Sequence, residues 1–130
     1  MKNGKWDIRI PTSLREMFPS RTGYYYKVNQ EQALKICQIL SKAYKVSCPK
    51  ICSIKKISED YGKVNAMYWS GKIYMYSRNH IKSIFHEFYH HLDYETKGEY
   101  NSDDRRGGAS SLAWQFADHM WNEFRKKQNC

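Results

Sequence analysis

The patterns along the chain predict an α+β fold, with a small antiparallel or mixed sheet packed beside helices. Three observations predict it. An apolar stripe of helical period runs from Ala33 to Tyr44, two aromatic-rich runs flank Ser70-Gly71, and two more helical segments follow with a polar stretch between them. With 130 residues there is chain for one core, and no repeat, low-complexity tract or Gly/Ser/Pro-rich linker divides it. Residues 1–130 are therefore read as a single domain.

The elements follow in order. Residues 1–28 contain Pro11, Pro19 and the run Tyr24-Tyr25-Tyr26 and read as an irregular arm, with one helical turn at Ser13 to Phe18. Asn29 is a good N-cap, and Ala33, Ile36, Cys37, Leu40, Ala43 and Tyr44 form one apolar face of the helix it opens. Pro49 is expected to end that helix. Ile51 to Ile57 reads as a strand. Lys63 to Trp69 and Lys72 to Tyr76, joined by two residues of which one is glycine, read as a β-hairpin. Asn79 is expected to cap a long helix from about His80 to Lys97, stopped by Gly98. Residues 99–108 are polar and read as a loop, and a last helix is expected from about Ala109 to Lys126.

Composition narrows the function classes. Hydrophobic residues make up 41% and charged residues 27%, so the chain is neither disordered nor a membrane span, and no apolar run approaches eighteen residues. The segment Met1 to Trp6 lacks the apolar run of a signal peptide, which makes the cytoplasm the expected compartment. Four cysteines are too few for a disulfide scaffold. Cys48 and Cys52 form a C-x₃-C pair; reduced cysteines are the expectation, with a disulfide among Cys37, Cys48 and Cys52 or a second zinc site as alternatives. Charge is uneven. Residues 1–65 carry 13 Lys/Arg against 5 Asp/Glu, a net of +8, whereas residues 66–130 carry 9 against 8, a net of +1. A basic half favours an anionic partner, nucleic acid foremost, or is simply a solvated lysine-rich surface.

The chemistry-bearing pattern is His86-Glu87-Phe88-Tyr89-His90 within the long helix. At 3.6 residues per turn, imidazoles four apart lie one above the other and can converge on one metal ion. Glu87 leaves the helix about 100° from His86, placed to reach a metal-bound water without ligating the metal. Zinc brings the pKa of such a water to about 7, and the carboxylate takes its proton during attack on a carbonyl. The apolar stripe of this helix is Ile81, Ile84, Phe85, Phe88 and Leu92. His86 and His90 fall roughly 140–180° from its centre, so they are expected off the core side. His80 and His91 read as ordinary solvent-facing or hydrogen-bonding residues.

Ser83 to Asp93 resembles the active-site helix of the small HExxH zincin metallopeptidases. The order hairpin, H-E-x-x-H helix, polar loop and a helix containing Ala113-Trp114-Gln115-Phe116-Ala117 is similar to minimal gluzincin-type domains. Among these are the ImmA/IrrE-type peptidases of mobile elements and small metallopeptidase domains of archaea and their viruses. The string ending at Asp93 also resembles the lethal-factor-type zincins. The likeness spans residues 63–124. It implies a zinc-dependent peptidase with His86 and His90 as ligands, Glu87 as general base and a protein or peptide as substrate. It also implies a third ligand, usually a glutamate, near the start of the last helix.

Here those positions hold Ser110, Ser111, Leu112 and Trp114. Asp118, opposite the Leu112/Phe116/Met120 stripe, is the expected third ligand, with Glu123, Asp103, Asp104 and His119 as alternatives. A metzincin arrangement is excluded, because its third-histidine position falls on Thr96 and its glycine on Asp93. Asp93 is either a support for a ligand imidazole or an exposed acid. Tyr89, Tyr94, Tyr100 and His119 are open as oxyanion donors. The second reading is a zincin scaffold without strong activity, serving as a basic accessory protein that binds nucleic acid or a protein partner.

Overall fold

A computed structural model describes residues 8–17, 27–53, 66–97 and 112–128. The fold is α+β, as the sequence predicts: α1 (Thr12–Glu16), β1 (Lys27–Asn29), α2 (Gln30–Tyr44), β2 (Lys50–Ser53), β3 (Ala66–Trp69), β4 (Lys72–Met75), β5 (Arg78–His80), α3 (Ile81–Lys97) and α4 (Leu112–Gln128). No helix among the described residues is long and apolar enough to cross a membrane.

Helix α2 starts where the sequence says. The Asn29 side chain accepts from the Gln32 N–H at 2.8 Å, and the Gln32 side chain accepts from the Asn29 N–H at 3.0 Å, a reciprocal capping box. It stops earlier than Pro49. Lys45 adopts a left-handed conformation (φ 58°, ψ 49°), and the Val46 N–H reaches back to the Ser41 carbonyl at 3.0 Å, which closes the last turn. The stripe Ala33, Ile36, Cys37, Leu40 and Tyr44 is buried.

The arm is more ordered than expected. Residues 12–16 form the helical turn, one position earlier than read, with Leu14 fully buried. Arg9 holds this segment to the end of α2, its N–H donating to the Tyr44 hydroxyl at 3.0 Å and its guanidinium to the Ala43 carbonyl at 2.8 Å. Lys27–Asn29 then forms a strand, pairing antiparallel with Arg78–His80. Both strands are three residues long, too short for an alternating pattern to register.

The hairpin is as predicted. β3 and β4 pair antiparallel through Ser70 (φ 47°) and Gly71 (φ 87°), the double positive-φ turn whose twist matches its strands. β2 adds in parallel on the far side of β4, giving the order β2-β4-β3. Residues 54–57 of the expected strand lie outside the described residues, as do 63–65, Gly98, the loop 99–108, residues 109–111 and Cys130.

Helix α3 begins after β5, not at an Asn79 cap. Asn79 sits in the strand, and its side chain accepts from the Tyr76 N–H at 2.9 Å. His80 caps instead, its Nδ1 accepting from the Lys82 N–H at 3.0 Å. From Ser83 to Asp93 every residue of α3 is buried. The helix lies between the sheet and α2 on one side and α4 on the other. Ring contacts join them: Tyr44 to Phe88 at 6.0 Å, Tyr89 to Phe116 at 5.4 Å and Phe85 to Phe124 at 6.4 Å between centroids.

Candidate metal centre

Helical spacing brings His86 and His90 together on consecutive turns of α3, with ring centroids 5.0 Å apart and planes at 78°. Glu87 joins them. A donor atom from each of the three lies within 4.8 Å of the others, and His86 Nε2 stands 3.8 Å from Glu87 Oε2. Donors sharing one tetrahedral zinc at about 2.0–2.1 Å are roughly 3.4 Å apart, so small side-chain movements would suffice to grip an ion. Nδ1 of His86 is buried without a hydrogen-bond partner among the described residues. Such an atom is costly, and a bound cation or a closing donor would offset the cost. Two imidazoles beside a carboxylate suit a borderline cation such as zinc better than calcium or magnesium.

The histidines are enclosed, contrary to the expectation from the apolar stripe. His86 is 7% exposed, Glu87 6% and His90 2%. Helix α4 supplies the missing wall: the Trp114 ring lies 4.2 Å from His86, tilted by 41°. Burial sets the charge states. Desolvation, helped by neighbouring His90, drives the His86 pKa down to about 3, and desolvation pushes Glu87 up to about 8. Metal-free at neutral pH, His86 is therefore a neutral imidazole, the form that ligates, and Glu87 holds a proton near the pH at which a general base works best.

Asp118, the expected third ligand, is not brought to this group. Helix α4 runs antiparallel to α3, so the turn after Trp114 falls level with the turn before His86. There Asp118 pairs with Lys82, whose ammonium lies 6.0 Å from the Trp114 ring. Of the alternatives, His119 is exposed and Glu123 half-buried, and neither joins the cluster. Asp103, Asp104 and the oxyanion candidate Tyr100 lie outside the described residues. Asp93 proves buried, at 1% exposure, rather than an exposed acid.

Three features were not foreseen. Trp114 stood inside a short apolar motif, and only the packing of α4 directs it at His86. Lys82 takes Asp118. The burial of His91, at 1% exposure, is the third, although its hydrogen-bonding role is one of the two the sequence offered: Nδ1 lies 2.8 Å from the Tyr68 hydroxyl and Nε2 2.6 Å from the Ser47 carbonyl. Tyr68 in turn accepts from the Gly71 N–H at 2.8 Å. The available sequence signal was position, since His91 follows Phe88 by three residues and so borders the apolar stripe.

The perturbed groups give metal-free protein a stability optimum. His86 titrates near 6.5 when unfolded and about 3 when folded, so between these values the unfolded chain holds more protons and stability rises with pH. Burial lowers His80 and His91 as well, adding to that acid-side slope. Glu87 titrates near 4.5 unfolded and about 8 folded, so over that interval its contribution falls as pH rises. Among the described residues the three histidines outweigh the carboxyl below about pH 6.5 and Glu87 dominates from there to pH 8, the thiols of Cys37 and Cys48, raised by burial, adding to its fall only at higher pH. Urea midpoints measured in chelator are expected to peak near pH 6.5 and to lose about 2 kcal/mol by pH 8. A curve still rising at pH 8 would contradict the protonated Glu87.

No protein-family profile, curated protein or solved structure matches this chain.

Proposed function

We propose that this protein is a zinc-dependent metallopeptidase, with His86 and His90 as ligands and Glu87 as general base. The observation that carries this reading is the convergence of those three side chains in a buried cluster walled by Trp114. Zinc, when bound, would supply Lewis acidity, acidifying a water and polarising the scissile carbonyl. The positive charge of a cation held by the imidazoles would favour the ionised form of Glu87, which would then accept the water's proton at a carboxylate oxygen and return it to the leaving amine nitrogen. Trp114 would keep bulk water from His86, and Lys82 would hold Asp118 away from the imidazoles. The outer side of β3, the sheet's edge among the described residues, is the proposed docking line for an extended peptide, since peptides can add to a sheet edge through main-chain hydrogen bonds. The cytoplasm is the proposed compartment; among the described residues Cys37, Cys48 and Cys52 are free thiols.

The test is metal content followed by turnover. Protein purified without an affinity tag and dialysed against zinc should carry about one ion per chain, and His86→Ala or His90→Ala should lose it. The loaded protein should cleave unfolded polypeptide, with chelator abolishing cleavage. A chain that takes up no zinc is not a metallopeptidase. One that takes up zinc but leaves every peptide in a diverse library intact would favour a catalytically weak accessory protein.

A further inference from the structure

Two neighbouring residues could cap α3, and the one that does so titrates. Asn79 has a side chain that accepts at any pH, but it is held by the Tyr76 N–H, and the cap falls to the imidazole of His80. The Lys82 N–H lies in the first turn, where no carbonyl of the helix itself is within reach, so its bond to His80 Nδ1 at 3.0 Å takes the place of one. An amide N–H can only donate. Nδ1 is therefore unprotonated, and the ring proton sits on Nε2.

A second proton is badly placed here. It would land on Nδ1 and set a donor against the Lys82 N–H, which is also a donor. It would add positive charge at the positive end of the helix dipole. Lys27 of β1 stands directly opposite His80 in the ladder, and Lys82 follows two residues on. Arg78, two residues earlier in β5, is exposed across from Asn29. From α4, Asp118 is paired with Lys82, and the uncharged Trp121 ring packs 4.8 Å from the imidazole with planes at 71°. Burial first, then Lys82 and Lys27, hold the His80 pKa below its usual 6.5.

We propose that His80 is an acid-released latch on the first turn of α3, closed while its imidazole is neutral and open once it is protonated. His80 serves two elements at once, as the last residue of β5 and as the cap of α3. Its release therefore frees the Lys27 end of the ladder together with the first helical turn. That turn carries Lys82, which pairs with Asp118 and lies 6.0 Å from the Trp114 ring on α4. Loosening it loosens the α3–α4 contact beside the wall of the metal cluster. The body of α3 does not hang on the cap, because Ile84, Phe85 and Phe88 are fully buried. Opening is thus local, short of unfolding. The latch uses no residue of the metal cluster and works whether or not the protein is a peptidase.

The experiment is amide hydrogen exchange followed residue by residue by NMR, on the full chain in chelator. It runs from about pH 7 to about pH 4, with the intrinsic pH dependence of exchange divided out. Opening takes up one proton, so protection of the Lys82 amide should fall about tenfold per pH unit from 6.5 down to the folded value of His80. The Phe85 and Phe88 amides should stay better protected throughout. His80→Asn supplies an acceptor that does not titrate, and should keep Lys82 protected while removing that pH dependence. The proposal is overturned if Lys82 protection is flat over this range, if Lys82 opens only together with Phe88, or if His80→Asn keeps the slope. Ring nitrogen shifts of the parent decide the matter even if the variant does not fold. They should show His80 protonated on Nε2 at neutral pH and titrating below 6.5, and a proton on Nδ1 or a midpoint at or above 6.5 overturns the latch.

Discussion

Glu87→Gln is expected to keep about one zinc per chain and to lose peptide hydrolysis by a factor of about 10²–10⁴, the usual worth of a positioned general base. Glutamine preserves the shape of the side chain in a site where Glu87 is only 6% exposed, so the packing against His86 survives. The two imidazoles that would hold the ion are untouched. What goes is the ability to take a proton. Zinc analysis and initial rates on one preparation separate the outcomes. Full activity in the variant would remove Glu87 from the base role, and loss of the metal would make it a ligand. The same variant has a second signature in chelator. With no carboxyl to titrate at residue 87, stability should no longer fall between about pH 6.5 and 8.

Phe88→Ala is expected to destabilise the protein by about 3–5 kcal/mol, lowering Tm by roughly 10–25 °C. Phe88 is fully buried between the helices and the sheet, its ring 6.0 Å from Tyr44 on α2 and 5.8 Å from His91 on its own helix. Truncation removes the apolar contact and leaves a cavity that two rigid aromatic neighbours cannot readily fill. Stabilities of single domains are about 5–15 kcal/mol, so the variant sits near the edge of folding. Phe88→Leu, closer in volume, should recover much of the loss. A Phe88→Ala melt within a few degrees of the parent would show that α3 does not pack as described.

What the sequence made legible was local. The Asn29 cap, the Ser70-Gly71 turn and the four-residue spacing of His86 and His90 are written in residues close along the chain, and each recurs in the structure. Features set by distant packing were not readable. The β1 and β5 strands find each other across about fifty residues of sequence, with no periodic signal in either. Asn79 has the chemistry of a cap but is recruited by Tyr76, leaving the cap to His80. A single-helix wheel put His86 and His90 on an outer face, whereas α4 covers that face and Trp114 meets His86. The Asp118 expectation failed to bring a carboxylate to the imidazoles for the same reason. The register between two helices, which no wheel contains, set it beside Lys82.

The hydrogen bonds around His91 carry a consequence for the neighbouring cluster. The Ser47 carbonyl can only accept, so the proton of neutral His91 sits on Nε2 and points at it, which leaves Nδ1 to accept from the Tyr68 hydroxyl while the Tyr68 oxygen receives the Gly71 N–H. Both nitrogens are thereby occupied by the protein itself. Of the three imidazoles crowded into six positions of α3, the hairpin withdraws one, and a cation arriving at this helix would meet a pair whose identity is already decided.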